Sequence, residues 1–274
     1  MKELLFSVIV PAFNQSAVLL KCLESQAAQR VLPFEVIVVD NASTDCLEDR
    51  KLPKKLNIKR LRLSENRYFA EAVNLGYAES SGDWILVLNS DVVLDRDCLS
   101  HAAQTFRNQP DLECASTVLY SKNNRVDCCG VRPGKSLRPR DINTLKNETI
   151  FGPSGAAFWI RRSLCERLIA EDKFLLDPEI SFFYVDLDFA FRLKQRNIRA
   201  HLLSSAKGVH ERGASTPKRK SFLPFSYCQL RQDYQALLRE NRKSFLKKWG
   251  KQKQFWNLPF LWIYDGALKF MRHF

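Results

Sequence analysis

A chain of 274 residues with 45% hydrophobic content can bury a full core without disulfides, which excludes both a cysteine-stapled mini-domain and a disordered chain. The net charge of +13 is unevenly held: residues 207–274 carry 15 Lys and Arg against 4 Asp and Glu, or +11, while residues 1–206 carry 28 against 26, or +2. Eight scattered cysteines with no CxxC pair are expected to be reduced, several of them in the core, as in a reducing cytosol.

From the N-terminus, LLFSVIV (4–10) reads as a buried strand. Glu3 and the lack of a small-residue cleavage site argue against a secretory leader. Residues 16–29 follow as an amphipathic helix, FEVIVVD (34–40) and NIKRLRL (57–63) as strands, residues 67–79 as a helix and WILVLN (84–89) as a strand. This alternation predicts an α/β fold with a mainly parallel sheet covered by helices on both faces. Residues 121–150 break the periodicity with Asn, Gly, Pro and scattered cations, and are expected to form a long loop of the lid or acceptor-recognition kind.

Near the C-terminus, Tyr227, Leu230, Tyr234, Leu237, Leu238, Phe245, Leu246 and Trp249 recur at helical spacing among Arg and Lys. The division expected is a catalytic domain over 1–220 and a helical basic and aromatic extension over 221–274. Its last residues mix cations with Trp, Phe and Tyr, a composition suited to an anionic membrane surface, with packing on the domain as the alternative. No stretch reaches the roughly 18 apolar residues of a membrane span, so the expected location is cytoplasmic, peripheral on the inner face of the membrane.

In parallel α/β sheets, ligands bind beyond the carboxyl ends of the strands. Those exits are residues 11–14, 40–45, 64–67 and 89–91, and all are polar. The segments SVIVPAFN (7–14), VIVVDNASTD (36–45), ENRYFAEAVNLGYAESSGDWILVLNSDVVL (65–94), GPSGAAFWIRRS (152–163), YVDLDFAFRLKQ (184–195) and GVHERGAST (208–216) resemble, in order, the motifs of family 2 glycosyltransferases with the GT-A fold. The nearest style is that of the bacterial rhamnosyltransferase-like subgroup, where an Asn-x-Asp triplet stands in place of Asp-x-Asp.

The resemblance implies an inverting, metal-dependent transfer from a nucleotide diphosphate sugar, dTDP- or UDP-linked, to a hydroxyl of a glycan or lipid-linked acceptor in cell-surface polysaccharide synthesis. Asp40 would read the base, with Pro11, Ala12, Asn14 and Asn41 lining the same pocket; an Asx turn is the alternative for Asp40. Asn66, Arg67, Asn89, Ser90 and Asp91 would approach the donor phosphates, and Asn74 would brace the loop before its helix. Asp91 and His210 would hold Mn²⁺ or Mg²⁺, hard ions that take oxygen ligands, with imidazole better suited to Mn²⁺.

Asp186 corresponds to the base of inverting members, although Val185 replaces the Glu that usually precedes it. Asp188 would point roughly 200° away around a helix, so the two carboxylates cannot share one role; Asp188 is assigned to the acceptor side with Gly155 and Ala156, or else to an ion pair with Arg192. Asp40, Asp91 and Asp186 are expected to face one hollow. A non-catalytic binding protein with a basic RNA- or protein-binding tail is the competing reading; nucleic acid is not the partner expected here. A nucleotidyltransferase is disfavoured because PAFNQ replaces the glycine-rich basic loop after the first strand.

Overall fold

The computed structural model describes residues 4–45, 52–146, 148–212 and 225–250, with side chains of the last segment from residue 233 onward. Its first half follows the predicted alternation: β1 (Phe6–Ala12), α1 (Ser16–Ala27), β2 (Glu35–Asp40), β3 (Ile58–Arg62), α2 (Tyr68–Ala78) and β4 (Trp84–Leu88). β5 (Val92–Leu94), α3 (Cys98–Asn108) and β6 (Cys114–Tyr120) lead into β7 (Val126–Cys128), β8 (Gly130–Pro133), β9 (Pro139–Ile142) and β10 (Thr149–Ile150). β11 (Ala157–Arg161), α4 (Arg162–Asp172), α5 (Val185–Gln195), β12 (Ala200–His210) and α6 (Phe225–Trp249) follow among the described residues.

The main sheet runs β10-β12-β6-β11-β4-β1-β2-β3, with β5 added to β12 and β7 to β6. Its β3-β2-β1-β4 part is parallel. Beyond β4 the sheet becomes mixed, because β11 is antiparallel to both β4 and β6.

Strand periodicity divides the core. Ile9, Ile37, Val39, Ile85 and Val87 face one side, with residues of α2, α4, α5 and α6, whereas Val8, Val10, Val36, Val38 and Leu86 face the other, with residues of α1 and α3. A β-carbon at Gly76 of α2 would lie 2.5 Å from Ile9 Cγ2, so the glycine lets α2 pack directly on β1. At the amino edge, Glu35 is buried and accepts hydrogen bonds from Ser7 Oγ at 2.6 Å and the Ser81 backbone at 2.7 Å, with Lys59 at 2.8 Å. Burial alone would raise its carboxyl, but Lys59, Ser7 and Ser81 outweigh it and bring it down to about 2.

The expected long loop over 121–150 is corrected by the structure. It holds β7 to β10, including a β8–β9 hairpin. Strands of two to four residues are too short to show a period, yet Cys128, Cys129, Val131, Leu137 and Ile150 point inward and fix the segment. Cys22, Cys98, Cys114, Cys128, Cys129 and Cys165 are free and buried.

α6 joins the same core as α5: Phe245 and Trp249 are buried, and Tyr234 packs edge-on against Phe183. No helix among the described residues is long and apolar enough to cross a membrane. Of the expected membrane-facing tail, residues 247–274 of the extension, all beyond residue 250 lie outside the described residues.

Candidate active site

Because β1 to β4 run parallel, their carboxyl ends open on one edge of the sheet. At the first two exits the loops are tied together. Ala12 is in register with Asp40, and the Asn41 amide donates to Ala12 O at 2.8 Å. Asn14, in the left-handed region at φ 56°, donates its amide to Ser43 Oγ at 2.8 Å and accepts the Thr44 amide on Oδ1 at 2.7 Å. Asn41 Oδ1 accepts the Arg67 amide at 3.2 Å, and Asn66 Oδ1 accepts the Tyr68 amide at 2.9 Å. The Arg67 guanidinium pairs at the surface with Glu71, 2.7 Å away. Asn74 braces a different segment from the one expected, exchanging hydrogen bonds with both backbone groups of Leu176.

Asp40 is buried with both oxygens engaged: Oδ1 accepts the Ser43 amide at 2.8 Å, and Oδ2 accepts from Arg62 Nη1 at 2.7 Å.

At the β4 exit, Asn89, Ser90 and Asp91 turn the chain into β5, and β12 pairs with β5 so that His210 stands opposite Val92. His210 Nε2 lies 3.2 Å from Asp91 Oδ1, and its Nδ1 lies 3.1 Å from Asp127 Oδ2. Arg212 binds Asp127 at 2.5 Å and Asp141 at 2.7 Å. Sequence reading missed Asp127, Asp141 and Arg212. The first two lie in the segment taken for a loop, and nothing in VDCC or RPRDI gave either acid a periodic or motif signal.

α5 supplies the opposite wall. Tyr184, at φ 67°, turns the chain sharply into the helix. Asp186 in the first turn accepts the Leu187 amide at 2.8 Å. Gly155 lies against Asp186; a β-carbon there would approach Asp186 Cβ to 3.3 Å. Desolvation, reinforced by the nearby Asp141, raises the Asp186 carboxyl to about 6 against the pull of the Leu187 and Gly155 amides.

Asp186, Gly155, Ala156, Asn89, His210 and Arg212 line a cavity of about 710 Å³ that is also walled by aromatic residues and by α6. Of the expected carboxylates only Asp186 lines this hollow; Asp91 is buried and meets it only through its contact with the lining His210. Asp40 does not line it either: the expectation of three carboxylates in a common hollow is corrected, since Ser43 and Arg62 engage both oxygens of Asp40 at the β2 exit.

Asp188 is corrected as well. It is 1% exposed, faces away from the cavity, and accepts from Trp249 Nε1 at 2.7 Å with Lys248 Nζ at 3.0 Å. Burial raises its carboxyl, while Lys248 and Trp249 oppose the rise. Its i,i+4 neighbour Arg192 instead binds Asp172 at 2.8 Å and the Leu175 carbonyl at 2.7 Å. α6 is therefore joined to α5 through Asp188, and it is also joined just ahead of α5, where Asn241 Oδ1 accepts the Phe182 and Phe183 amides at 2.8 and 2.9 Å.

Among the described residues, no group of three His, Cys, Asp or Glu side chains is arranged to hold a metal. Two protein donors do converge, Asp91 Oδ1 and His210 Nε2, and Asp127, 3.1 Å from Nδ1, fixes the orientation of the imidazole. This set fits a divalent ion whose remaining ligands come from a diphosphate and water.

A glycosyltransferase of PGL/p-HBAD biosynthesis from Mycobacterium tuberculosis is 33% identical over 130 residues, 44% of this chain and 50% of that protein. The chain spans half or less of the length of the first curated relatives it matches. TarS 1–349 of S. aureus in complex with UDP superimposes with a TM-score of 0.53 at 25% identity, covering 76% of this chain and 58% of that one. The mannosyltransferase PcManGT from Pyrobaculum calidifontis, in complex with GDP-Man and Mn²⁺, gives 0.56 at 18% identity, over 84% and 61%. Both share the α/β GT-A-like fold. Residues 7–169 match the model described as Glycosyl transferase family 2, well over half of the chain, which therefore belongs to that family.

Proposed function

We propose that the protein is an inverting glycosyltransferase that moves a sugar from a nucleotide diphosphate donor to a hydroxyl of a glycan or lipid-linked acceptor. The observation that carries the reading is a cavity lined both by Asp186, a carboxyl raised to about 6, and by His210, which pairs with Asp91. A base near neutrality is mostly ionised at physiological pH and still able to take a proton. In this reading Asp186 accepts the acceptor's hydroxyl proton as its oxygen attacks the anomeric carbon from the α5 side. Gly155, lacking a side chain, leaves room there for the sugar, with Ala156 beside it.

The leaving diphosphate is assigned to the strand-exit side, near Asn89, Ser90 and Asp91. Asp91 and His210 would hold Mn²⁺ or Mg²⁺, which when bound supplies charge neutralisation for the leaving group. Asp40, with Pro11, Ala12, Asn14 and Asn41, is assigned to the nucleotide base once Arg62 releases Oδ2, and Asn66 and Arg67 to its flank. Relatives and neighbours support a nucleotide-sugar donor: TarS is known with UDP and UDP-GlcNAc, and PcManGT with GDP-Man. A dTDP-linked deoxysugar such as rhamnose, a role in surface polysaccharide synthesis, and a cytoplasmic enzyme held at the membrane by residues 251–274 complete the proposal.

The test is hydrolysis of UDP-, dTDP- and GDP-sugars with Mn²⁺ or Mg²⁺. Metal-stimulated turnover lost in Asp91→Ala supports the proposal; salt-sensitive RNA binding without turnover would sink it in favour of a binding module.

A further inference from the structure

The cavity carries more positive charge than transfer of a neutral sugar to a neutral hydroxyl requires. Four arginines line it: Arg138 between β8 and β9, Arg212 after β12, and Arg239 and Arg242 on α6. Arg212 is committed to Asp127 and Asp141. Arg138, Arg239 and Arg242 pair with no carboxylate among the described residues, and Asp141, the lining acid besides Asp186, is already neutralised by Arg212.

Arg239 and Arg242 are three residues apart, which places them on one flank of α6. The Nε of Arg242 is buried and finds no hydrogen-bond acceptor among the described residues. A buried, charged N–H left unpaired is costly, and in a residue that lines a cavity a bound acceptor would complete it.

The location decides which anion. Asn241, between the two arginines, fixes this turn of α6 to the amides of Phe182 and Phe183, immediately before the helix that carries Asp186. The α6 arginines therefore stand beside the start of the helix that carries Asp186, the side from which the attacking hydroxyl enters in the transfer reading, in a cavity that Asn89 and His210 of the diphosphate side also line. Phe69, Phe182 and Phe183 beside them offer faces for a sugar ring or an isoprenoid chain. Guanidinium forks match phosphate oxygens in pairs.

We propose that the acceptor carries a phosphate group, bound at the cavity mouth by Arg138, Arg239 and Arg242. The inference rests on the transfer reading above. A phosphorylated glycan and a lipid-linked phosphate headgroup share this chemistry, and the choice of probe separates them.

The experiment is calorimetric titration of the full chain with glucose 1-phosphate, farnesyl phosphate and glucose, with UDP saturating so that the donor side is filled; UDP itself is titrated separately. The expected result is binding of a phosphate probe but not of glucose, weakened about tenfold by each of Arg239→Gln and Arg242→Gln, with UDP affinity unchanged. Tighter binding of farnesyl phosphate supports a lipid-linked acceptor, and tighter binding of glucose 1-phosphate a phosphorylated glycan.

Phosphate binding that is absent, or indifferent to these substitutions, overturns the proposal. A fall in UDP affinity in the same variants also overturns it, by giving the arginines to the donor. Arg138→Gln, on a separate element, decides the matter if melting curves show that the α6 variants misfold. Wild-type protein that binds a phosphate probe without UDP present, in an arginine-dependent way, but fails to bind UDP overturns the transfer reading and leaves the phosphate site standing.

Discussion

Asp186 draws its raised carboxyl from a wall that withholds water and a neighbour of like charge, Asp141. If it is the base, turnover at limiting substrate rises with pH through about 6 and then levels, and Asp186→Asn lowers it about 10²- to 10⁴-fold. The stability sign is opposite. The folded carboxyl lies above its ordinary value of 3.8, so between that value and about 6 the folded protein binds more protons than the unfolded chain, and stability falls as pH rises through that window. Asp186→Asn should therefore raise the melting temperature at pH 8 while removing activity. Glu35 behaves conversely: its carboxyl is held at about 2 against an ordinary 4.5, so its contribution is full above 4.5 and is lost as pH falls toward 2. Glu35→Gln should cost about 2–3 kcal/mol at pH 7, measured by urea denaturation, and little at pH 2.

The two faces of α5 show how one turn of helix divides its work. Residues 186 and 188 lie roughly 200° apart by helical geometry alone, and the structure sends one carboxylate to the cavity and the other under Trp249. That opposition was legible from spacing. The partner of Asp188 was not, because Trp249 is 61 residues away and only packing brings it there. Trp249→Phe keeps the bulk and deletes the N–H, and should destabilise the fold by about 1–3 kcal/mol, with a lower kcat and an unchanged UDP affinity. The α2–β1 contact is as exacting: Gly76→Ala drives a methyl into Ile9 and should cost about 1–3 kcal/mol by urea denaturation. The strands of β7 to β10 escaped sequence reading because segments of two to four residues leave no period to find.

On the scale of the molecule, the parallel half of the sheet was readable from its apolar runs, since β1, β2 and β4 are buried on both faces and announce themselves, whereas β3 at the edge is half exposed. The mixed half was not, because β11 is antiparallel to strands distant in sequence. The same holds for the cavity. Asp186 and His210 stood in recognisable motifs, while Asp141, Arg138, Arg239 and Arg242 reach it from segments without one, through long-range packing. Residues 207–274 carry +11, and the described part of that excess is spent partly on this cavity, through Arg212, Arg239 and Arg242.

The clasp of Asn241 on the amides of Phe182 and Phe183 makes α6, the last described helix, a lever whose load is the turn that leads to Asp186. Tension applied at Gly250 would load the Trp249 and Lys248 contacts to Asp188 first and, once these yield, that clasp. Faster hydrogen exchange at those two amides would register the strain before any change in the sheet.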